Sequence, residues 1–295
     1  MRGLRLQSAM EYLMTYGWMI IIVALVIGAI AALGLFNGNS LSPKAPPGSC
    51  SLDKPDGPWS TTLISLVGPC SNGLPEYVAK FNGVNSSINL NGGQVANVVS
   101  TGITISSWIY LSESQTAEAA SQARIFSVSA GYCGETLFFD AATTIRFSDD
   151  CGDFYEGTYS FKTNQWYQVV VTVTPGSSPE ETYYVNGRLV SQGSSSAWTL
   201  PEAGLTDIGA YPPTPTERFD GEISNVQLYN TSLSSNDVVT LYSEGIGGGP
   251  MALQWLVGWW PLNGDANDYS GNGDNAASIS NVIFYTGWTG GYSNP

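Results

Sequence analysis

The chain has 295 residues, with 10 Lys and Arg against 24 Asp and Glu, which gives a net charge of −14 at pH 7. This acidic balance argues against nucleic acid as a partner, because a negative surface repels phosphate backbones. Histidine is absent, which excludes Ser-His-Asp and Cys-His nucleophiles, histidine metal sites and histidine pH switches. With 12% charged and 12% aromatic residues, the composition is typical of a secreted β-rich protein, and we expect it not to be an enzyme.

An uncharged apolar segment lies near the N terminus. No residue from 12 to 36 is charged, and a helix of that length spans about 37 Å, enough to cross a hydrocarbon core of about 30 Å. Arg2 and Arg5 precede the segment, and the next basic residue is Lys44. This asymmetry predicts a membrane-embedded segment with a cytoplasmic N terminus and with residues 37–295 outside the cell.

A glutamate stands at the start of this apolar segment. Glu11 lies within QSAMEYLMTYGW (7–18), where an acid weakens membrane insertion and is therefore expected to have a partner. The segment resembles the class III signal of type IV pilins, particularly archaeal ones. The resemblance implies that a prepilin peptidase cuts between Leu6 and Gln7, although this family prefers Gly or Ala where Leu6 stands. A plain signal anchor, whose glutamate lies in the membrane interface, is the alternative.

The pilin resemblance also implies an assembly. After removal of the leader 1–6, Glu11 takes the fifth mature position, where pilins use it to neutralise the α-amino group of a neighbouring subunit. Residues 7–36 would then form a hydrophobic helix that leaves the membrane and packs with copies of itself in the core of an extracellular filament. Residues 37–49 mix Gly, Asn, Ser and Pro without apolar periodicity, which predicts a linker to an ectodomain at 50–295.

The ectodomain reads as a series of strands. Alternating apolar and polar residues between Gly, Pro, Asn and Ser clusters are typical of an antiparallel sandwich with one solvated face. Only 232–245 predicts a helix. The predicted strands are YVAKFNG (77–83), ITISSWIYL (103–111), RIFSVSAGY (124–132), TLFFDAA (136–142), TIRFSDD (144–150), WYQVVVTVT (166–174) and TYYVNGRLVSQ (182–192).

These strands in this order resemble the concanavalin A-like, laminin-G-like β-sandwich. The resemblance is carried by FNG (81–83), WYQVVVTVT, YYVNGRLV, LTDIGAY (205–211) and the closing stretch RFDGEISNVQLYNTSLSSNDVVTLYSEG (218–245). It implies a mainly β fold that hosts lectins, adhesins and hydrolases. The carboxylates of ERFDGE (217–222) do not alternate as in the hydrolases of this fold, because Glu217 and Asp220 would point to opposite faces of a strand.

One segment is out of the family order. VGWWPLNGDANDYSGNGD (257–274) resembles the first strand and the loop after it, yet it comes last, beyond the glycine-rich stretch 245–250. A second domain is too large for the 45 residues that remain, so we interpret 251–295 as a circularly permuted first strand. Residues 256–262 are accordingly expected to pair with 221–229, in the same chain or in a neighbour.

Disulfides, glycosylation sites and buried aromatic rings are predicted outside the membrane. Two disulfides are expected among the four cysteines, and sequential pairing closes the shortest loops: Cys50, Cys70, Cys133 and Cys151. Four free thiols are the alternative. Glycosylation sequons begin at Asn85 and Asn230. Aromatic rings crowd the last 45 residues, where most are expected to lie in the core or an interface: Trp255, Trp259, Trp260, Tyr269, Trp288 and Tyr292.

DYSGNGD (268–274) is a candidate calcium loop. Asp268, Ser270, Asn272 and Asp274 stand at positions 1, 3, 5 and 7 of a calcium pattern, and Asp265 lies just upstream. Position 12 is Ile279, which excludes an EF-hand, but the laminin-G resemblance implies calcium at a rim loop. A turn rich in Asn, Asp and Gly is the alternative, and no other cofactor is expected.

Together these patterns predict the structural subunit of a type IV pilus-like filament at the cell surface, with an adhesive laminin-G-like domain outside. The alternative is a monomeric membrane-anchored protein that binds surface glycans. The two hypotheses share one fold and differ in their state of assembly.

Overall fold

The computed structural model describes residues 16–17, 19–26, 51–53, 65–67, 73–90, 102–112, 123–130, 133–141, 144–148, 155–176, 178–194, 205–211 and 214–295. The chain forms two compact units, Met1–Lys44 and Ala45–Pro295.

In the first unit, Tyr16, Gly17 and residues 19–26 are helical. Their apolar side chains are exposed, as in Ile20 and Leu25. Within the part of the chain that the structure describes, no helix has the length and apolar character that crossing a bilayer requires. The predicted peptidase site at Leu6 and Gln7 and the predicted assembly residue Glu11 lie outside the described residues, so cleavage and assembly stay predictions.

The second unit is built from strands. They are β1 (Ser51–Asp53), β2 (Ser65–Val67), β3 (Val78–Asn82), β4 (Ser87–Leu90), β5 (Ile103–Leu111), β6 (Ala123–Ala130), β7 (Cys133–Ala141), β8 (Thr144–Ser148), β9 (Glu156–Thr158), β10 (Trp166–Thr174), β11 (Glu180–Val185), β12 (Arg188–Ser194), β13 (Leu205–Ile208), β14 (Ala210–Tyr211), β15 (Thr214–Arg218), β16 (Asp220–Tyr229), β17 (Leu256–Trp260), β18 (Ala276–Ser280) and β19 (Ile283–Tyr285). A helix, α1, spans Ser235–Ser243, and a 3₁₀ turn spans Leu253–Trp255.

Two large antiparallel sheets face each other. The first sheet has the order β12-β11-β10-β5-β16-β3-β19, with β17 also paired to β16, and the second sheet has the order β18-β4-β13-β6-β7-β8-β9. β1 and β2 form a separate pair, as do β14 and β15. The mainly β sandwich predicted from the sequence is thus confirmed.

Strand alternation explains the core. In β5 the side chains of Ile103, Ile105 and Ile109 enter one cluster between the sheets, and in β10 those of Val169 and Val171 join it. Successive side chains of a strand point to opposite faces, so the residues between these positions lie on the outside of the first sheet. Each fully buried aliphatic side chain contributes about 1.5–3 kcal/mol to folding.

The C-terminal strand lies where the sequence predicts it. β17 pairs antiparallel with β16, with Trp260 opposite Val226 and Trp259 opposite Gln227, which confirms the predicted pairing of 256–262 with 221–229. Within the chain described, the partner is the protein's own sheet. Adjacent tryptophans point to opposite faces: the Trp260 ring lies in the core, 6.0 Å from Phe126.

The outer face of the first sheet is covered. The predicted helix is confirmed as α1, which begins with a capping box between Ser234 and Asp237 and buries Val238 and Leu241 against this face. The C-terminal tail lies beside it. The Trp166 indole N–H donates to the carbonyl oxygen of Trp288 at 3.0 Å, and the Trp288 indole donates to that of Pro75 at 3.2 Å. This packing leaves the outer face of the second sheet and its rim as the surfaces on which a ligand could bind.

The second unit has the features of an independent domain. Ala45–Pro295 contains both sheets and all three hydrophobic clusters of the described residues. Because a domain with its own hydrophobic core can in principle fold alone, this fragment is expected to do so.

Candidate functional site

Polar side chains line the outer face of the second sheet, where β4, β13 and β6 lie side by side. Asp207 of β13 stands opposite Asn89 on one neighbour and opposite Ser127 on the other. The next residues along these strands alternate into the core, so this row faces outward. We call the following residues the polar cluster: Asn89, Arg124, Ser127, Asp207, Tyr211, Glu217 and Arg218.

Asp207 is the buried acid of the polar cluster. Only 4% of it is exposed, and its Oδ2 accepts a hydrogen bond from the Asn89 side-chain amide at 3.2 Å. Burial raises the pKa of Asp207 to about 6, against the opposing effects of the Asn89 hydrogen bond and the Arg218 charge. Buried carboxylates with a raised pKa are common at functional sites, and structural networks produce them as well.

Arg124 is the buried base of the polar cluster. It is 1% exposed, and its Nε donates to Glu217 Oε2 at 2.8 Å. The guanidinium carbon lies 4.6 Å from the centroid of the Tyr211 ring, a cation–π distance. The Tyr211 ring and the ion pair hold Arg124, and the ion pair in turn positions Glu217, whose side chain remains 16% exposed.

A glycine turn places Tyr211 and Glu217 beside β6. Gly209 has φ +77°, and a Cβ there would lie 2.2 Å from a ring carbon of Phe81. Its N–H donates to the Ile125 carbonyl at 3.0 Å, and the Ser127 hydroxyl donates to the Ala210 carbonyl. From this turn the β14–β15 hairpin carries both side chains to Arg124. Only glycine satisfies both the left-handed backbone and the close ring.

The pKa of Asp207 gives a stability prediction. The native state holds the Asp207 proton more tightly than the unfolded chain, so the stability that this group contributes is lost as pH rises from about 4 to 6. Asp207→Asn mimics the protonated form and should raise the unfolding free energy at pH 8 by up to about 3 kcal/mol, with little change at pH 4. Urea unfolding at both pH values measures this. Glu76→Gln, at an exposed position, should change neither value, and an equal effect of Asp207→Asn at pH 4 and pH 8 contradicts the prediction.

The predicted calcium loop is held by a single buried carboxylate. Asp268 Oδ1 accepts from the backbone N–H groups of Trp259 at 3.0 Å and Ser270 at 2.8 Å. Its Oδ2 accepts from the Ser270 hydroxyl at 2.8 Å and from the N–H groups of Gly273 at 2.9 Å and Asp274 at 3.1 Å. Asp268 therefore ties the loop to β17.

The other predicted ligands also bond to the protein. Asp265 Oδ2 accepts from the Tyr269 hydroxyl at 2.9 Å, and Asn272 Nδ2 donates to the Val257 carbonyl at 2.7 Å. Among the residues that the structure describes, no group of three or more His, Cys, Asp or Glu side chains is placed to hold a metal ion. Calcium binding by this loop stays a prediction.

The remaining predicted sites are dispersed. Asn85 is exposed in the turn between β3 and β4, and Asn230 follows β16 half-buried. Cys133 begins β7, whereas Cys50, Cys70 and Cys151 lie outside the described residues, so the disulfide pairing stays a prediction. The acids of ERFDGE separate: Glu217 pairs with Arg124, while Glu222 lies 3.7 Å from the Lys80 ammonium on the first sheet.

The polar cluster was not singled out from the sequence. Arg124 and Ser127 lie in the predicted strand 124–132, whereas Asn89 lies outside every predicted strand and is separated from Asp207 by 118 residues. The available signal was an acid in the middle of an apolar strand: Asp207 stands in LTDI, on the β13 face opposite the core residue Ile208. Such a residue is disfavoured in strands unless it has a partner.

Comparisons with known proteins agree with this architecture. A solved candidate carbohydrate-binding protein from Bacteroides ovatus superimposes with a TM-score of 0.53 and 16% identity, over 76% of this chain and 63% of that one. The chain thus spans less than two thirds of that protein. Lower scores come from a Ruminococcus gnavus sialidase CBM40 bound to sialyllactose (TM-score 0.44, 12% identity, 55% and 96% coverage) and a Limulus polyphemus SAP-like pentraxin (0.43, 15%, 59% and 84%).

A search of curated proteins gave no match. The family model of the concanavalin A-like lectin/glucanases superfamily matches residues 82–239, which is more than half of the chain. This match extends from the end of β3 into α1 and includes the strands that carry the polar cluster. The chain therefore belongs to the concanavalin A-like lectin/glucanases superfamily.

Proposed function

We propose that the second unit is a glycan-binding domain and that sugars bind at the polar cluster on the outer face of the second sheet. The observation that carries the proposal is the two-layered arrangement of polar groups there. Asn89, Glu217 and Arg218 are half-buried, so they reach solvent, while Asp207 and Arg124 lie buried behind them.

This arrangement suits sugar hydroxyls. A hydroxyl both donates and accepts, so a sugar needs donors and acceptors at fixed positions. Arg218 supplies donors, Glu217 supplies acceptors, and Asn89 supplies an amide that Asp207 orients. Because the buried partners already hold these side chains, little conformational entropy is lost when a ligand binds. The Bacteroides ovatus protein of the same fold, itself a candidate for carbohydrate binding, supports the proposal.

The filament hypothesis rests on the sequence alone. Its residues, Leu6, Gln7 and Glu11, lie outside the described part of the chain, and both comparisons and geometry concern the second unit. We therefore favour glycan binding over filament formation as the function of this protein. In this proposal the apolar segment tethers the domain at the cell surface, and a pilin-like assembly would display the same binding face.

A glycan array with Ala45–Pro295, followed by titration of the best sugar, tests the proposal. Asn89→Ala and Arg218→Ala each remove a hydrogen-bonding group from the exposed layer, and a bond of this kind contributes about 1–3 kcal/mol. We expect affinity to fall about 10- to 100-fold for each variant. Val239→Ala, on the exposed side of α1, is the matched control and should bind like the parent. Equal binding by all four proteins would exclude this face.

A further inference from the structure

One side of the sandwich ends in two edge strands. β18 is the outermost strand of the second sheet and β19 the outermost strand of the first. Two residues, 281 and 282, join them, so both edges lie on the same side of the domain. Among the strands that the structure describes, none pairs with the outer edge of either one.

This side exposes apolar side chains. Ile283 is 65% exposed, Ile279 44% and Tyr285 37%. Val84, at 72%, lies in the turn that bonds to Asn281, since the Ser86 hydroxyl donates to the Asn281 carbonyl at 2.7 Å. Ile279 stands opposite the fully buried Ile88, so it occupies a core-facing position that still meets solvent. The core is therefore incompletely covered at this edge.

The edge also lacks two of the usual protections against pairing, charged residues and proline, although the register of β18 against β4 shifts between Ala276 and Ser278. Soluble proteins blunt edge strands with charged residues, proline or bulges. No residue from 275 to 294 has a charged side chain or is a proline, although the whole chain carries a net charge of −14. On the opposite side, the edge strand β12 begins with Arg188. Residues 275–285 thus carry no charged side chain on an acidic molecule, and the neighbouring Lys80, whose ammonium lies 5.1 Å from the centroid of the Tyr285 ring, is ion-paired with Glu222.

We infer that a second copy of this chain binds here, with β18 pairing antiparallel to β18 of the partner around a two-fold axis. Two acidic copies repel each other least where neither carries charge, which favours this surface over the others. Antiparallel pairing of identical strands is compatible with two-fold symmetry. It also gives hydrogen-bond partners to the unpaired backbone N–H and C=O groups on the outer edges of both β18 strands. It also covers Ile279 of both copies.

The pairing has a consequence for the polar cluster. β18 and β13 belong to the same sheet, separated only by β4, so pairing of β18 would continue the second sheet from one copy to the other. Both polar clusters would then face the same side, and a surface with many sugars could be bound twice. The self-association itself does not depend on the proposed glycan binding.

Sedimentation equilibrium of Ala45–Pro295 tests the inference. The fragment is produced without glycosylation, because exposed Asn85 lies beside the edge and its carbonyl accepts from Asn281. We expect a dimer for the parent and about 100-fold weaker association for Ile279→Ser with Ile283→Ser. Leu189→Ser is the matched control, because Leu189 is a 56% exposed aliphatic residue of the opposite edge strand β12. It should dimerise like the parent.

Two further measurements, of folding and of sugar binding by the double variant, complete the test. Unchanged far-UV circular dichroism and melting of the double variant would show that it folds, and it should bind a monovalent sugar as the parent does while losing avidity for a multivalent surface. A monomeric parent at 100 µM, or equal dimerisation of the parent and the double variant, overturns the inference. Neither result bears on sugar binding by single domains.

Discussion

Deletion of residues 251–295 is expected to yield an aggregating ectodomain and not a smaller stable one. The deletion removes β17, β18 and β19 together, which frees an edge of β16 and uncovers core residues such as Phe126. Trp260 and Leu262 are fully buried, and loss of a single buried tryptophan typically costs about 3–5 kcal/mol. With about 2–5 kcal/mol for the buried leucine, these two side chains alone account for about 5–10 kcal/mol, which is comparable with the 5–15 kcal/mol by which a domain is typically stable.

Thermal unfolding and light scattering of the fragment that ends at residue 250 measure this. Trp255→Ala is the matched control, because Trp255 lies in the same segment but is 42% exposed. It should change the melting temperature only slightly. A truncated fragment that stays monomeric and melts cooperatively at the temperature of the parent would show that 251–295 is an appendage.

Asp268→Ala should cause the second large loss, about 3–5 kcal/mol of unfolding free energy. The substitution leaves the N–H groups of Trp259, Ser270, Gly273 and Asp274 without the carboxylate that accepts from them. A buried donor without an acceptor costs about 1–3 kcal/mol, and several are created at once. Asp265→Ala is the control. Asp265 is half-buried and bonds mainly to neighbouring side chains, so its loss should be about 1 kcal/mol.

Urea unfolding in EDTA and in calcium separates the two roles that Asp268 could have. If hydrogen bonding within the loop is its role, Asp268→Ala loses the same free energy in both solutions. A loss that appears only with calcium would instead identify Asp268 as a metal ligand and support the calcium prediction. A loss below 1 kcal/mol in both solutions would contradict either role.

The sandwich could be predicted because its strands alternate strongly. Apolar residues recur at alternate positions of ITISSWIYL and WYQVVVTVT, and the structure has β5 and β10 there, with those residues in the core. VGWW was recognised by its likeness to a missing first strand, and the structure pairs β17 with β16 as expected. Short strands such as β4, β18 and β19 were not predicted, since three to five residues give too little alternation to distinguish a strand from a loop.

The polar cluster could not be predicted for a different reason. Asn89, Ser127 and Asp207 are neighbours only because β4, β13 and β6 are adjacent, and strand order is a property of the whole sheet. The calcium loop shows the opposite case, in which a pattern visible in the sequence fits two structural roles. Alternating Asp, Ser and Asn at 268–274 present oxygens that suit a metal, but the same spacing lets Asp268 bond to the backbone of its own loop.

The most direct test of glycan binding at the second sheet is hydrogen–deuterium exchange of Ala45–Pro295 with and without the best sugar from the array. Binding at the polar cluster predicts slower exchange in β4, in β13 and in the β14–β15 hairpin, with no change in α1. Slower exchange confined to the loop at 263–275, or at the tail around Trp288, would place the sugar elsewhere and contradict the proposed site.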